Sequence, residues 1–258
     1  MESSEFAHRI AIVTGASRGI GHAIARTLAA QKMKLVLVAR SEALLTSIAA
    51  ELDTECLVLP TDLREPGAPL QVVTKTLARF GRLDALVNNA GAAKRGDFLE
   101  LEDADWSDGF ALKFFGAMRL CRASWKALQA SRGAIVNIAG IGGRTGSAEF
   151  AIGGAVNAAV MNLTKALADR GTRDGVRVNG INPGTIATER LQARIKAVAK
   201  ERTMSDEAAA LAMARSSGVA RFGQPDELAQ AVAFLLSARS SYMQGSIIDV
   251  DGGQTRTL

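Results

Sequence analysis

The sequence predicts an α/β fold, a doubly wound parallel sheet of seven strands flanked by helices. Short runs rich in Ile, Val and Leu alternate along the chain with longer stretches of helical periodicity. These runs are apolar at successive positions, as strands buried on both faces by crossover helices must be. A glycine-rich turn also stands between the first run and the first helix.

In chain order, the strands are expected at residues 10–13, 35–38, 57–59, 85–87, 134–138, 176–181 and 247–250. Crossover helices are expected at 19–30, 42–52, 70–80 and 157–169, with further helix across 103–130 and a late helix after Pro225. There is no internal repeat of fixed period. No Pro/Ser-rich linker or charge block interrupts the pattern, so one domain is expected over residues 1–258.

Of the 258 residues, 48% are hydrophobic and 22% charged, which excludes disordered, collagenous and coiled-coil chains. The net charge of +5 is modest and leaves room for an anionic ligand. Its one local concentration is Arg190, Arg194, Lys196, Lys200 and Arg202, with no interleaved aromatics, so no nucleic-acid partner is expected. Cys56, Cys121, His8 and His22 match no metal-ligand spacing, and no metal site is expected. The opening MESSEFAHRI lacks signal-peptide regions, and no apolar stretch approaches the ~20 residues that span a bilayer. A cytoplasmic location without membrane association is the expectation.

Directly after the first strand comes Thr14-Gly15-Ala16-Ser17-Arg18-Gly19-Ile20-Gly21, followed by a helix. Glycines in such a strand–turn–helix unit allow a tight turn and let backbone N–H groups approach a pyrophosphate, which the helix N-terminus stabilises. The fold is therefore expected to be a Rossmann-like dinucleotide-binding domain.

The Gly-x3-Gly-x-Gly spacing is joined by Asn88-Asn89-Ala90-Gly91 after the fourth strand and Asn182-Pro183-Gly184 after the sixth. Asp62, Arg221-Phe222-Gly223-Gln224-Pro225 and Asp249-Val250-Asp251-Gly252-Gly253 complete the set. Over nearly its whole length the chain resembles the short-chain dehydrogenase/reductase family. That resemblance implies cofactor contacts from Gly15, Ser17, Arg18, Gly19, Ile20 and Gly21 in the turn. It implies others from Asp62 (adenine) and Leu63, from Asn88, Ala90 and Gly91 lining the cleft, and from Pro183, Gly184, Ile186 and Thr188 towards the nicotinamide. Asn88 has a second reading as a turn residue stabilising its own loop. The resemblance further implies a variable substrate lid at about 186–220 and a homotetramer or homodimer built on 103–130 and 157–169.

The second strand ends Val38-Ala39-Arg40-Ser41, without the acid that would accept from an NAD ribose hydroxyl. Arg18 and Arg40 can instead pair with a 2'-phosphate, which favours NADP(H), unless Arg40 is only a solvated strand-end residue.

In the resembled family a Tyr, a Lys four residues later, an earlier Ser and an Asn on the preceding helix carry the chemistry. Counting back from Leu163-Thr164-Lys165-Ala166-Leu167-Ala168 places Asn157 at the Lys position, Gly153 at the Tyr position and Gly140 at the Ser position. Counting from Trp106 places Lys113 at the Asn position. The chain has one tyrosine, Tyr242, just before the last strand, so no shift of register restores the phenol.

Cation and amide thus stand exchanged between Lys113 and Asn157. Lys113 is a candidate general acid or anchor for an anionic small-molecule substrate, or else a lysine turned to solvent or to a subunit interface. Gly140 and Gly153 are expected to enlarge the pocket, with Asn137, Arg144, Ser147 and Glu149 as nearby polar groups. Leu191, Ile195 and Val198 form an apolar face that either packs on the body or belongs to a lid closing on an acidic or thioester-like substrate.

Three functions stay open: an NADP(H)-dependent oxidoreductase of a carbonyl or alcohol with an atypical active site, an NADP(H)-binding pseudoenzyme serving as sensor or partner subunit, and a non-redox enzyme. The last has no positive residue evidence.

Overall fold

The computed structural model describes residues 6–256. Seven parallel strands form one sheet: β1 (Ile10–Thr14), β2 (Lys34–Ala39), β3 (Cys56–Pro60), β4 (Ala85–Asn88), β5 (Ala134–Ile138), β6 (Arg177–Pro183) and β7 (Ile247–Val250). Their spatial order is β3-β2-β1-β4-β5-β6-β7. The order reverses between β1 and β4, which opens a crevice at the strands' C-terminal ends, where open α/β sheets bind ligands.

The helices are α1 (Gly19–Ala30), α2 (Glu42–Glu51), α3 (Ala68–Phe80), α4 (Asp103–Phe110), α5 (Ala117–Ser131), α6 (Ala151–Asp174), α7 (Glu189–Glu201), α8 (Asp206–Ser216) and α9 (Pro225–Leu236). A π-helical stretch, Ala111–Gly116, joins α4 to α5 and carries Lys113. Alternate strand residues feed two core layers. Ala11, Val13, Leu35, Leu37 and Val136 meet Ile24 and Leu28 of α1 and Val232 of α9. Ile10, Ile12, Val36, Val38 and Ile135 meet Val72 and Val73 of α3 and Leu120 and Leu128 of α5. This two-sided burial is why the strands read as unbroken apolar runs.

Local chemistry sets the helix ends. Ser41 Oγ accepts from Leu44 N at the start of α2. Gln224 and Glu227 form a capping box at α9, with Pro225 in its first turn. Gly175, at φ +73°, closes α6.

Two expectations need correction. The stretch Ala148–Asp174, which includes α6, is long and apolar enough to cross a membrane by length and composition. Ile152, Val156, Val160, Thr164 and Ala168 form a buried stripe at four-residue spacing, so within the fold this face is a packing face. The segment at 186–220 holds two helices. Leu191, Ile195 and Ala199 of α7 pack with Ala209 and Ala214 of α8 and with Val219 and Phe222 in a small core of their own. Ala199 is the deeper residue and Val198 only partly buried, because the buried stripe follows i, i+4, i+8.

Candidate cofactor and substrate cleft

Thr14 ends β1 and ties the crevice together. Its hydroxyl donates to Val87 O (3.2 Å) and accepts from the N–H groups of Asn89 and Ala90, both at 2.9 Å. Asn89 Nδ2 donates back to Thr14 O at 3.0 Å. The glycine turn is thereby clipped to the end of β4. Gly15 and Gly19 sit at φ +65° and +51°, and a β-carbon on Gly21 would collide with the Gly15 carbonyl oxygen. Ala16 is buried, Ser17 and Ile20 are partly buried, and Arg18 is the extended residue that begins α1.

The other candidate cofactor residues surround this turn. The Thr188 methyl lies 3.0 Å from where a β-carbon on Gly19 would be, so the β6–α7 loop closes on the turn. Pro183 ends β6, Gly184 packs against Asp251, and the buried Ile186 bridges to Gly223. Arg40 is exposed after β2. Neither the Arg18 nor the Arg40 side chain has a hydrogen bond or ion pair among the described residues. Asp62 accepts from Arg64 N at 3.0 Å and pairs with the Arg64 guanidinium, which also clamps Asp108 of α4. Leu63 is buried beside Gly116.

Asn88 behaves differently from the expectation of a cleft-lining side chain. It is buried, and Nδ2 donates to Asn137 Oδ1 (2.8 Å) and Cys121 Sγ (3.2 Å). Asn137 continues this chain to Thr164 Oγ1 at 2.9 Å. The side chain thus fastens β4 to β5 and α6, and the loop-stabilising role falls to Asn89.

At the C-terminal end of β5, the Lys113 stem lies over Gly91 and its Nζ donates to Ala139 O at 2.6 Å. Burial of the ammonium, and secondarily the charge of Arg190, bring its pKa down from 10.5 to about 8. Asn157 is buried with its amide against Gly140, and its Oδ1 has no hydrogen-bond partner. Lys113 and Asn157 therefore converge on the Ala139–Gly140 segment.

The pocket expected beside Gly140 and Gly153 is already filled. A β-carbon on Gly153 would fall inside the Phe150 ring, and the Asn157 amide occupies the space beside Gly140. The outer side of the Phe150 ring carries the Arg95 guanidinium at 4.1 Å. Glycine has therefore made room for a neighbouring aromatic ring. Arg144 and Asn137 are committed elsewhere, Arg144 to Asp249 at 3.0 Å. Ser147 and Glu149 are exposed.

The fold has close counterparts among solved proteins. The L-sorbose reductase of Gluconobacter frateurii, solved with NADPH and L-sorbose, superposes with a TM-score of 0.94 at 32% identity, covering 99% of this chain and 100% of that one. The family described as Enoyl-(Acyl carrier protein) reductase matches residues 15–255. The chain belongs to the short-chain dehydrogenase/reductase family.

Two further relatives match this short-chain dehydrogenase/reductase over nearly their whole length. It is 34% identical over 249 residues to the 3-oxoacyl-[acyl-carrier-protein] reductase FabG of Escherichia coli (strain K12), covering 96% of this chain and 98% of that one. It is 35% identical over 248 residues to the acetoacetyl-CoA reductase of Shinella zoogloeoides, covering 95% and 98%.

Against that background, the one tyrosine of this short-chain dehydrogenase/reductase, Tyr242, is fully exposed ahead of β7. Sequence reasoning missed Phe150, Arg95 and the Thr14–Asn89 clip.

Proposed function

We propose that the chain is an NADP(H)-dependent oxidoreductase acting on a small carbonyl or alcohol compound, with the Lys113 ammonium and the Asn157 amide in place of the phenol-centred tetrad. One observation supports this above the others. Lys113 has a donor fixed on Ala139 O at the end of β5, beside the unpartnered acceptor of Asn157.

The cofactor fits the residues present. The turn has no room for side chains at Gly15, Gly19 and Gly21, and two guanidiniums stand unpartnered at Arg18 and Arg40. The Gly15–Gly21 amides would hold the pyrophosphate, Arg18 and Arg40 the 2'-phosphate, and Asp62 and Leu63 the adenine side. Ala90, Gly91, Pro183, Gly184, Ile186 and Thr188, together with the backbone at Asn88, would enclose the nicotinamide side. When bound, the cofactor supplies or accepts the hydride.

An ammonium has three donors, so Lys113 keeps two beyond its bond to Ala139 O. Those donors polarise a carbonyl oxygen, and with a pKa of about 8 the group gives up its proton near neutral pH. Asn157 Oδ1 orients a substrate O–H or N–H. Cys56 and Cys121 are free thiols, in keeping with a cytoplasmic location. Assembly of copies through 103–130 and 157–169 belongs to the same reading and is supported by the partly exposed Phe115.

The test is stereospecific transfer of label from C4-deuterated NADPH into a panel of carbonyl compounds. Lys113→Met is expected to lower kcat at least ~100-fold, the low end of what a positioned acid contributes, while NADPH affinity is kept.

A second reading, nucleotide binding without turnover, is favoured by the Phe150 ring filling the space over Gly153. Tight NADPH binding with no label transfer to any compound would select it.

A further inference from the structure

Asn182 and Asp249 open two of the motifs that stand out in the sequence, and neither has a part in the cofactor contacts assigned above. They are Cα partners on neighbouring strands, Asn182 in β6 and Asp249 in β7. Asn182 is fully buried, and its Nδ2 donates to Asp249 Oδ1 at 2.9 Å. The same carboxylate oxygen accepts from Arg144 Nε at 3.0 Å. At its other end, the Asn182 amide accepts from Gly140 N through Oδ1 at 3.2 Å.

Gly140 N belongs to the same peptide group as Ala139 O, the acceptor of Lys113 Nζ at 2.6 Å. A planar peptide points its N–H and C=O to opposite sides. One peptide group therefore carries Asn182 on one edge and Lys113 on the other. Ammonium, peptide, amide and carboxylate form an unbroken chain in which every donor points towards Asp249. Hydrogen bonds aligned in this way polarise one another, and a charge at the end of the chain strengthens them. Ala139 O is accordingly a better acceptor for a charged ammonium than an isolated carbonyl would be.

The linking peptide is held in this orientation. Ala139 N donates to Ile181 O at 2.9 Å, and Gly140 sits at φ +151°, where a β-carbon would meet Asn157 Nδ2 at 2.8 Å. No carboxylate reaches Lys113 directly among the described residues. Burial, and secondarily the charge of Arg190 on α7, act against its ammonium. The chain to Asp249 opposes both, and the Arg144 cation paired with Asp249 moderates it.

We propose that Asn182 and Asp249 are positioning residues for Lys113, fixing its ammonium on the Ala139–Gly140 peptide and setting how readily it gives up its proton. What Lys113 then does to a substrate rests on the reductase reading, whereas the chain itself does not.

The test is the rate of acetylation of Lys113 by trace acetic anhydride between about pH 6 and about pH 10, read by peptide mass spectrometry on the full chain without nucleotide. Only the free amine reacts, so the midpoint of the rate profile reports the proton on Nζ. Asp249→Asn keeps the shape and removes the charge, and should lower the midpoint by about 0.5–1 pH unit. Arg144→Gln removes the moderating cation and should raise it. Asn182→Leu cuts the chain and should lower it, after which adding Asp249→Asn should change little. Where turnover from NADPH is found, the alkaline limb of its pH profile should move with the midpoint.

Midpoints that stay put in Asp249→Asn and Arg144→Gln, or that move in the same direction in both, overturn the proposal. So does a shift from Asp249→Asn that is as large behind Asn182→Leu as in the natural chain, because the charge would then act without the amide. Circular dichroism identifies a variant that does not fold. Should Asn182→Leu be one, Asn182→Ser takes its place, and the side chains of Arg144 and Asp249, each 25% exposed, can be changed with less disturbance. Opposite shifts without label transfer from NADPH leave the chain standing and remove the reductase reading. Label transfer with unmoved midpoints does the reverse.

Discussion

The Phe150 ring occupies the volume that a side chain on Gly153 would need, and the Arg95 guanidinium covers the ring at 4.1 Å. Gly153→Tyr in the natural background should therefore destabilise the fold by about 1–3 kcal/mol, the range for overpacking a filled site. Phe150→Ala alone should cost about 2 kcal/mol, less than for a fully buried ring because Phe150 is partly exposed. Together the two changes should cost less than their sum, with a coupling of about 1–3 kcal/mol. Urea denaturation of the four proteins measures this, and simple additivity would show that the ring and the glycine do not share that space.

Thr14 has a second testable role, as the clip between the glycine turn and β4. Thr14→Val removes the acceptor of two backbone N–H groups in a residue that is 1% exposed. Buried donors left without partners cost about 1–3 kcal/mol. Stability should fall by that amount and NADPH affinity should fall with it, while Thr14→Ser should retain both. Denaturation and nucleotide fluorescence titration on the same samples check the pairing of the two effects.

How much could be read from the chain follows from the range of each interaction. Strands such as Val36–Val38 and Ile135–Val136 are apolar on both faces because helices cover both, so burial alone marks them. The Gly15, Gly19 and Gly21 turn is local, and its spacing is enough to identify it. By contrast, what fills the space over Gly153 depends on where the chain before α6 places the Phe150 ring, and spacing does not give that. Asn88 and Asn89 are adjacent and alike. Only the pairing of β4 with β5 turns one into the interior, towards Asn137, and leaves the other to hold Thr14. α8 was missed because its alanine-rich face carries few large apolar residues, and it packs chiefly through Ala209 and Ala214.

Cofactor preference should be governed by Arg18 and Arg40, at the far end of the cleft from Lys113. Charge-assisted hydrogen bonds are worth about 1.5–3 kcal/mol each. Arg40→Ala should therefore weaken NADPH about 10- to 100-fold, and the double variant with Arg18→Ala should weaken it further. NADH lacks the 2'-phosphate and should bind all these proteins alike. Fluorescence titration with both nucleotides gives the ratio, and parallel losses for NADPH and NADH would remove the arginines from 2'-phosphate recognition.

Lys113 should leave its mark on the pH dependence of stability. Its folded pKa of about 8 lies below the ordinary 10.5, so between these values the unfolded chain holds a proton that the folded protein has released. Stability contributed through this group therefore rises as pH increases from about 8 to about 10.5, and below pH 8 the cost of burying the charge is borne in full. At 1.36 kcal/mol per pKa unit the span is up to about 3 kcal/mol, and less to the extent that the partly exposed stem lets water reach the ammonium. Lys113→Met keeps the stem and removes the charge, so the difference in unfolding free energy between wild type and variant should shift in favour of wild type on going from pH 7 to pH 10. Denaturation of both proteins at the two pH values reads the slope directly. A difference that stays constant with pH would mean that the Lys113 ammonium is solvated and carries none of the proton traffic assigned to it.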